Sequence, residues 1–249
     1  MIKNVDSYIM PTYGERKLEF TYGKGVYLYS KDKKKYLDFG SGIAVTSLGH
    51  CHPILINALN KQSRRLWHTS NLYSSTAQEK YAELLCKYSF AEKVFFTNSG
   101  SESIECGLKV IRSYYHLKRI KKKNIITFKG AFHGRAFAAL SAQKNNKYST
   151  GFKPLLPGFA QVPFDDLLSL KKNVNEKTAA ILIETIQGEG GINPVPLSFL
   201  EKIKKICLKN NVLLFLDEVQ SGFGRSGKLF AYQWSNIEPD VMAIAMGIG

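Results

Sequence analysis

Five short apolar runs, separated by stretches of helical periodicity, constrain this fold more than any other feature. They are Val94–Thr97, Asn124–Phe128, Ala179–Ile183, Val212–Leu216 and Val241–Ala245. A strand with one face in water alternates apolar and polar side chains. These runs do not, so each is expected to be covered on both faces. Helical patterns fit around them at Pro53–Leu66, with Pro at the first turn, at Ser75–Tyr88, capped by Ser or Thr, at Ser101–Lys118 and at Pro196–Asn210. Buried strands alternating with helices predict an α/β domain with a mostly parallel sheet and helices on both faces. Ahead of it, Gly25–Tyr29, a Lys/Asp turn and Lys35–Phe39 predict a small antiparallel unit. The expected division is an N-terminal segment over 1–50 and a large domain over 51–249.

Composition narrows the function classes. With 249 residues, 44% of them hydrophobic, the chain can bury a core without disulfide or metal support. Its 15 Phe and 13 Tyr are too many for a solvated, disordered chain. No apolar run approaches the ~20 residues of a membrane-spanning helix. Met1–Ser7 lacks the apolar stretch of a signal peptide, so a cytoplasmic protein without a membrane partner is expected. Cys51, Cys86, Cys106 and Cys207 form no CxxC pair, which argues against a disulfide framework or a metal site. The net charge of +15 comes from 28 Lys and 7 Arg, dispersed along the chain. Nucleic-acid readers draw more heavily on Arg, so no nucleic-acid partner is expected. The one dense cluster, Lys118–Lys123, falls where a helix should end, and there cations complement the helix dipole.

Open α/β sheets bind ligands beyond the carboxyl ends of their strands, so the residues after each run carry the functional information. After Thr97 comes Asn98-Ser-Gly-Ser-Glu-Ser103, opening a helix. Read alone, it is equally a phosphate-binding helix start or a helix cap. After Phe128, the segment Lys129-Gly-Ala-Phe-His-Gly-Arg135 brings an aromatic, an imidazole and a guanidinium to the same edge. Phe132 and His133 also read as core and loop residues, whereas Arg135 suits a carboxylate. After Ile183 come Glu184 and a glycine loop through Gly191, and after Leu216 come Asp217 and Glu218. An Asp ending so apolar a strand costs free energy unless paired, and a protonated ring nitrogen would be a partner; a local Arg or a turn cap is the alternative. A phosphate cradle, a stacking aromatic, a buried Asp and a carboxylate-binding Arg together match pyridoxal phosphate carrying an amino acid. A strand-end lysine to hold the cofactor's aldehyde is missing.

The chain closely resembles the class-III aminotransferases of fold type I, and within them the acetylornithine branch. The resemblance runs through Tyr36–Val45, Leu48–Pro53, His68–Tyr73, Phe95–Ser103, Phe132–Arg135, Gln187–Gly191, Leu216–Gly227 and Pro239–Gly249. It implies that Gly100 and Ser101 bind the cofactor phosphate with Ser99 close by, and that Phe132 stacks on the ring beside His133. It further implies that Asp217 pairs with the ring nitrogen and that Gln220 lies near the ring hydroxyl. Arg135, Glu184, Glu189, Asn71 and Tyr73 would serve the substrate, partly across a homodimer. The implied reaction moves an amino group from an amino-acid donor, acetylornithine, to the 2-oxo acid acceptor 2-oxoglutarate in two half-reactions. Ornithine and succinylornithine aminotransferases share nearly all of these motifs.

Two departures stand out. The family's Schiff-base lysine falls in Ala245-Met-Gly-Ile-Gly249, where this chain has Met246. Methionine has no amine, so catalysis by this chain is expected to fall to near zero. The remaining strands and the C-terminal domain of the family are expected to be absent, leaving a sheet edge and one face of the core uncovered. A smaller departure is Thr185, where many relatives carry Pro.

Overall fold

A computed structural model describes residues 8–14 and 17–248; Met1–Ser7, Glu15, Arg16 and Gly249 lie outside the described residues. The chain divides into two compact units, Met1–His68 and Thr69–Gly249.

In the first unit, β1 (Phe20–Lys24), β2 (Tyr27–Ser30) and β3 (Lys35–Leu37) form an antiparallel sheet in that order. The register places Tyr27 opposite Leu37 and Tyr29 opposite Lys35. β2 and β3 are the expected pair, and β1 adds a strand that the sequence pattern did not reveal. Phe20 of β1 meets Tyr36 edge to face with ring centroids 5.4 Å apart, a cross-strand aromatic contact invisible to a search for alternation. A single turn, α1 (Ser41–Ala44), is interrupted by left-handed φ values at Gly42 and Ile43. α2 (Pro53–Ser63) follows with Pro53 in its first turn.

The second unit opens with α3 (Thr76–Tyr88), whose cap Ser75 accepts a hydrogen bond from Gln78 N. α4 (Gly100–Leu117) comes next, then β4 (Asn124–Phe128), α5 (Phe137–Gln143), the single turn α6 (Asn146–Ser149), β5 (Phe159–Val162) and α7 (Leu167–Asn173). β6 (Thr178–Glu184) leads into a two-stranded loop, β7 (Ile186–Gln187) and β8 (Asn193–Pro194), followed by α8 (Leu197–Asn210), β9 (Leu213–Asp217) and β10 (Val241–Ala243). Five strands form one sheet in the order β10-β9-β6-β4-β5. Every neighbouring pair in it is parallel.

The sheet is covered on both faces, as its apolar runs require. Ile126, Ile181, Ile183, Leu214 and Leu216 point to one side, where α7 and α8 contribute Leu170, Phe199 and Ile203. Ile125, Ala180, Leu182 and Phe215 point to the other, against Ile104, Leu108 and Ile111 of α4 and Ala139 of α5. Period-2 alternation is therefore present, but it sorts apolar side chains between two apolar layers. Gly107 of α4 sits where an added Cβ would lie 2.3 Å from the Phe215 ring, so this helix packs close only with glycine there.

Two runs depart from expectation. Val94–Thr97 forms no strand, because no described residues pair with it. Val241–Ala245 is paired only through Ala243, where its partner β9 ends at Asp217, and a 3-10 turn over Met246–Ile248 follows. β5 was not expected; it is the edge strand at the far end of the sheet from β10. No helix among the described residues is long and apolar enough to cross a membrane.

Candidate functional site

The strand order reverses at β4: β5 lies on one side of it, whereas β6 and β9 lie on the other. Such a switch point opens a crevice at the carboxyl ends of the strands. The segments after β4, β6 and β9 meet there.

After β4, His133 is buried and its Nδ1 lies 2.8 Å from Asp217 Oδ2 at the end of β9. The other Asp217 oxygen accepts a hydrogen bond from Val219 N at 3.0 Å. Glu184, ending β6, accepts one from Phe132 N at 2.8 Å through Oε1. Two buried atoms in this cluster, His133 Nε2 and Glu184 Oε2, have no hydrogen-bond partner among the described residues. Unpartnered buried polar atoms are unfavourable, and a pair on one crevice marks a place for a polar ligand. The ligand atoms of His133, Glu184 and Asp217 lie within 4.8 Å of one another, a spacing that a metal ion could also bridge. Burial pushes the Glu184 carboxyl well above the ordinary carboxylate range, and the nearby Asp217 adds to that shift.

The start of α4 forms another wall. Ser99 is the N-cap, and its hydroxyl accepts a hydrogen bond from Glu102 N at 3.2 Å, while Glu102 accepts one from Asn98 N at 2.7 Å. Ser99 is thus engaged in capping. The N–H groups of Gly100 and Ser101, like those opening any helix, have no partner within the helix. Ser101 Oγ accepts hydrogen bonds from Arg135 N and Ala136 N at 3.2 and 3.0 Å, tying the loop after β4 to α4. Two glycines permit this approach. A Cβ on Gly100 would meet Val219 at 2.6 Å, and one on Gly134, at φ 116, would meet Ser101 Oγ at 2.5 Å.

The loop after β6 is stitched to its neighbours. Gln187 Nε2 donates to Lys129 O at 3.0 Å, and the side chain of Gln220 presses against Gly188. Thr185 Oγ1 lies 2.9 Å from Ser221 Oγ, both residues buried, so the hydroxyl at this position is used. Glu218 is fully buried and accepts hydrogen bonds from Ala231 N and Tyr232 N at 2.6 and 2.7 Å; burial pushes its carboxyl up to about 7.

The structure therefore gathers Gly100, Ser101, Phe132, His133, Glu184, Asp217 and Gln220 around the crevice. Phe132 is half-buried and meets Tyr148 edge to face. Arg135 and Glu189 are exposed on its flanking loops, and Asn71 and Tyr73 are exposed ahead of α3. Ala245 approaches Gly100, and Met246 follows it, half-buried. Sequence reasoning missed Gln143, whose Oε1 accepts from His133 N at 2.9 Å, and Glu105, which accepts from Ala138 N and Ala139 N at 2.7 and 3.2 Å. Nothing in their sequence spacing points to those partners.

These residues fit a ligand that carries an anionic group for a helix start and a protonated ring nitrogen for a buried carboxylate. Known proteins lead to the same chemistry. The acetylornithine aminotransferase of Brucella melitensis is 50% identical over 239 residues, which cover 96% of this chain and 59% of that protein. That of Mesorhizobium japonicum is 48% identical, over 98% of this chain and 61% of that protein. The chain thus spans about three-fifths of the length of the curated relatives it matches. Among solved structures, an ornithine aminotransferase from Toxoplasma gondii with partial occupancy of pyridoxal phosphate at its active site is 30% identical. It superposes with a TM-score of 0.89, over 94% of this chain and 56% of that one. The N-acetylornithine aminotransferase of Stenotrophomonas maltophilia is 34% identical with a TM-score of 0.82, over 95% of this chain and 60% of that one. The family model of the class-III aminotransferases matches residues 9–249, and the chain belongs to that family, whose cofactor is pyridoxal phosphate.

Proposed function

We propose that this chain carries the cofactor-binding part of an aminotransferase that transfers the amino group of N-acetylornithine to 2-oxoglutarate. The place of that reaction would be arginine biosynthesis, in the cytoplasm, by a homodimer. The observation that carries this reading is the cluster of His133, Glu184 and Asp217 at the carboxyl ends of β4, β6 and β9, beside the start of α4. When bound, pyridoxal phosphate supplies a protonated ring that withdraws electrons from the amino group in transit.

The residues of the chain divide the remaining work. Gly100 and Ser101 offer backbone N–H groups to the phosphate, where the helix dipole favours negative charge. Asp217 would face the ring nitrogen and hold a proton there, with its carboxylate kept in orientation by His133 and Val219 N. Glu184 fixes the backbone of Phe132, whose ring would stack on the cofactor, and Gln220 would lie toward its ring hydroxyl. Arg135 binds a substrate carboxylate, while Glu189, Asn71 and Tyr73 serve the distal part of the substrate.

Met246, which we assign to the family's lysine position, gives the cofactor no covalent attachment. That favours a second reading, a protein that binds the cofactor without turnover; ornithine and succinylornithine donors remain alternatives for an active form. The test is an intact-mass measurement with peptide mapping after incubation with pyridoxal phosphate and borohydride reduction. The expected result is reversible binding, weakened about tenfold or more by Asp217→Ala, with no adduct at residue 246. Met246→Lys should create that adduct. Binding that ignores Asp217→Ala would sink the site assignment, and turnover by the unaltered chain would sink the assignment of Met246.

A further inference from the structure

The positive charge of this chain is dispersed along the sequence but not in the fold. The five strands of the large sheet are all parallel, so their amino ends share one edge, opposite the crevice. The segments arriving there are 118–123 before β4, 171–177 before β6 and 209–212 before β9. They carry nine of the chain's 35 Lys and Arg, against the single acid Glu176. Hydrogen bonds tie them together. Lys123 N and Asn124 N both donate to Lys177 O at 3.0 Å, and Lys122 Nζ donates to Asn210 O and Asn211 O at 2.6 and 2.9 Å. Helix ends account for part of this charge: Lys118 is the C-cap of α4, and Lys122 meets the carbonyl end of α8. They do not account for Arg119, Lys121, Lys123 and Lys177, which are exposed loop residues. No cation of the three segments forms an ion pair among the described residues. Asp240, at the amino end of β10, is already taken by Lys204 and Leu214 N at 3.2 and 2.7 Å. Two apolar side chains stand beside these cations: Leu117, ending α4, is 78% exposed, and Leu208, in the last turn of α8, is 70% exposed.

We infer that the amino edge of the sheet is a peripheral docking surface for a lipid bilayer rich in anionic headgroups. Cations held this close by the fold repel one another, and a partner dense in negative charge relieves that repulsion. The residue types select which partner. Eight of the nine are Lys, compact point charges suited to singly charged headgroups that move to meet them. Nucleic acid is read through the Arg fork, and only Arg119 supplies one here. The exposed leucines decide further, because a polyphosphate backbone has no use for them, whereas a bilayer takes apolar side chains at its headgroup boundary. The expectation of no membrane partner came from the lack of spanning and leader segments, and a peripheral contact needs neither. Docking by this edge turns the crevice of His133, Glu184 and Asp217 away from the lipid, since that crevice lies at the carboxyl ends of the same strands. The inference rests on the distribution of charge and not on cofactor binding or the amino donor.

The test is co-sedimentation of the full chain with vesicles of phosphatidylglycerol and phosphatidylcholine, against vesicles of phosphatidylcholine alone. The expected result is binding at least about tenfold tighter to the anionic vesicles, lost as ionic strength rises. Lys121→Glu, Lys123→Glu and Lys177→Glu together should weaken that binding about tenfold or more without changing the circular dichroism of the chain. Lys24→Glu, Lys80→Glu and Lys202→Glu, three exposed lysines outside this edge, change the net charge equally and should leave binding within about twofold. Leu117→Ser with Leu208→Ser should weaken vesicle binding about threefold or more, yet leave any binding to a single-stranded RNA unchanged. The inference is overturned if the anionic vesicles are not bound, or if the two sets of lysine variants lose binding alike, which would make net charge the cause. Tighter binding to the RNA than to the vesicles, with no effect of the leucine variants on either, would overturn it in favour of a nucleic-acid partner.

Discussion

Helices α2 and α8 have similar amphipathic sequences and opposite fates. α8 buries Phe199, Leu200, Ile203 and Cys207 against the parallel sheet. α2 buries none of its residues: Ile54 is 70% exposed and Leu59 69% exposed. Apolar periodicity and a proline at or just before the first turn set both helices. Burial depends on whether the surface a helix is patterned for lies within the chain, and the lesson reaches the sheet. Among the described residues, β6 and β9 have neighbours on both sides, β10 has one, and Val94–Thr97, equally apolar, has none.

The largest expected effect separates the two helices directly. Ile203→Ala should destabilise the chain by about 2–5 kcal/mol in denaturant unfolding, from lost burial and the cavity left behind. Leu59→Ala should stay within about 0.5 kcal/mol, because an exposed side chain leaves no cavity. Equal losses would mean that α2 is buried in solution, and a loss at Leu59 that grows with protein concentration would identify a partner copy.

The next contrast concerns buried polar groups, which the second unit has in numbers and the first has little of. Glu218 holds its proton more tightly when folded, with its carboxyl raised from 4.5 to about 7. Its contribution to stability is therefore fully present below pH 4.5 and is lost as pH rises through about 7. The loss is on the order of 3 kcal/mol, from the conversion of a shift into free energy. Glu184 acts with the same sign. Stability measured across this pH range should be less steep in Glu218→Gln than in the parent. Coincident slopes would show that the clamp on Ala231 and Tyr232 does not titrate.

The smallest effect compares two caps. Ser99 accepts from Glu102 N at 3.2 Å, whereas Ser75 accepts from Gln78 N at 3.5 Å. Ser99→Ala should cost about 1 kcal/mol, and Ser75→Ala about half as much or less. Thermal unfolding of the two variants would rank them, and the reverse order would make Ser75 the stronger cap.

Much of the site was legible because strand ends are legible. Asp217 stands out as a charge closing an apolar run, and Asn98–Ser103 as small residues opening a helix. The couplings between loops were not. The His133–Asp217 pair spans 84 residues of sequence and the Phe132–Glu184 bond spans 52. Spacing rules reach only across one helix turn or one hairpin, so these contacts carry no local signal. Thr185 shows the same limit. It reads as a harmless departure from proline, yet its hydroxyl meets Ser221 across 36 residues.

By itself the sequence determined the long helices α2, α3, α4 and α8, the covering of β4, β6 and β9 on both faces, and which polar groups stand at the strand ends. Side-chain size, branching and polarity act over a few residues and suffice for that. Only the tertiary structure decided strand order, the unexpected β1 and β5, the unpaired state of Val94–Thr97 and the burial that raises the carboxyls of Glu184 and Glu218. Those depend on which distant segments meet, because a backbone edge or a carboxylate takes its energy from its neighbours and not from its own sequence.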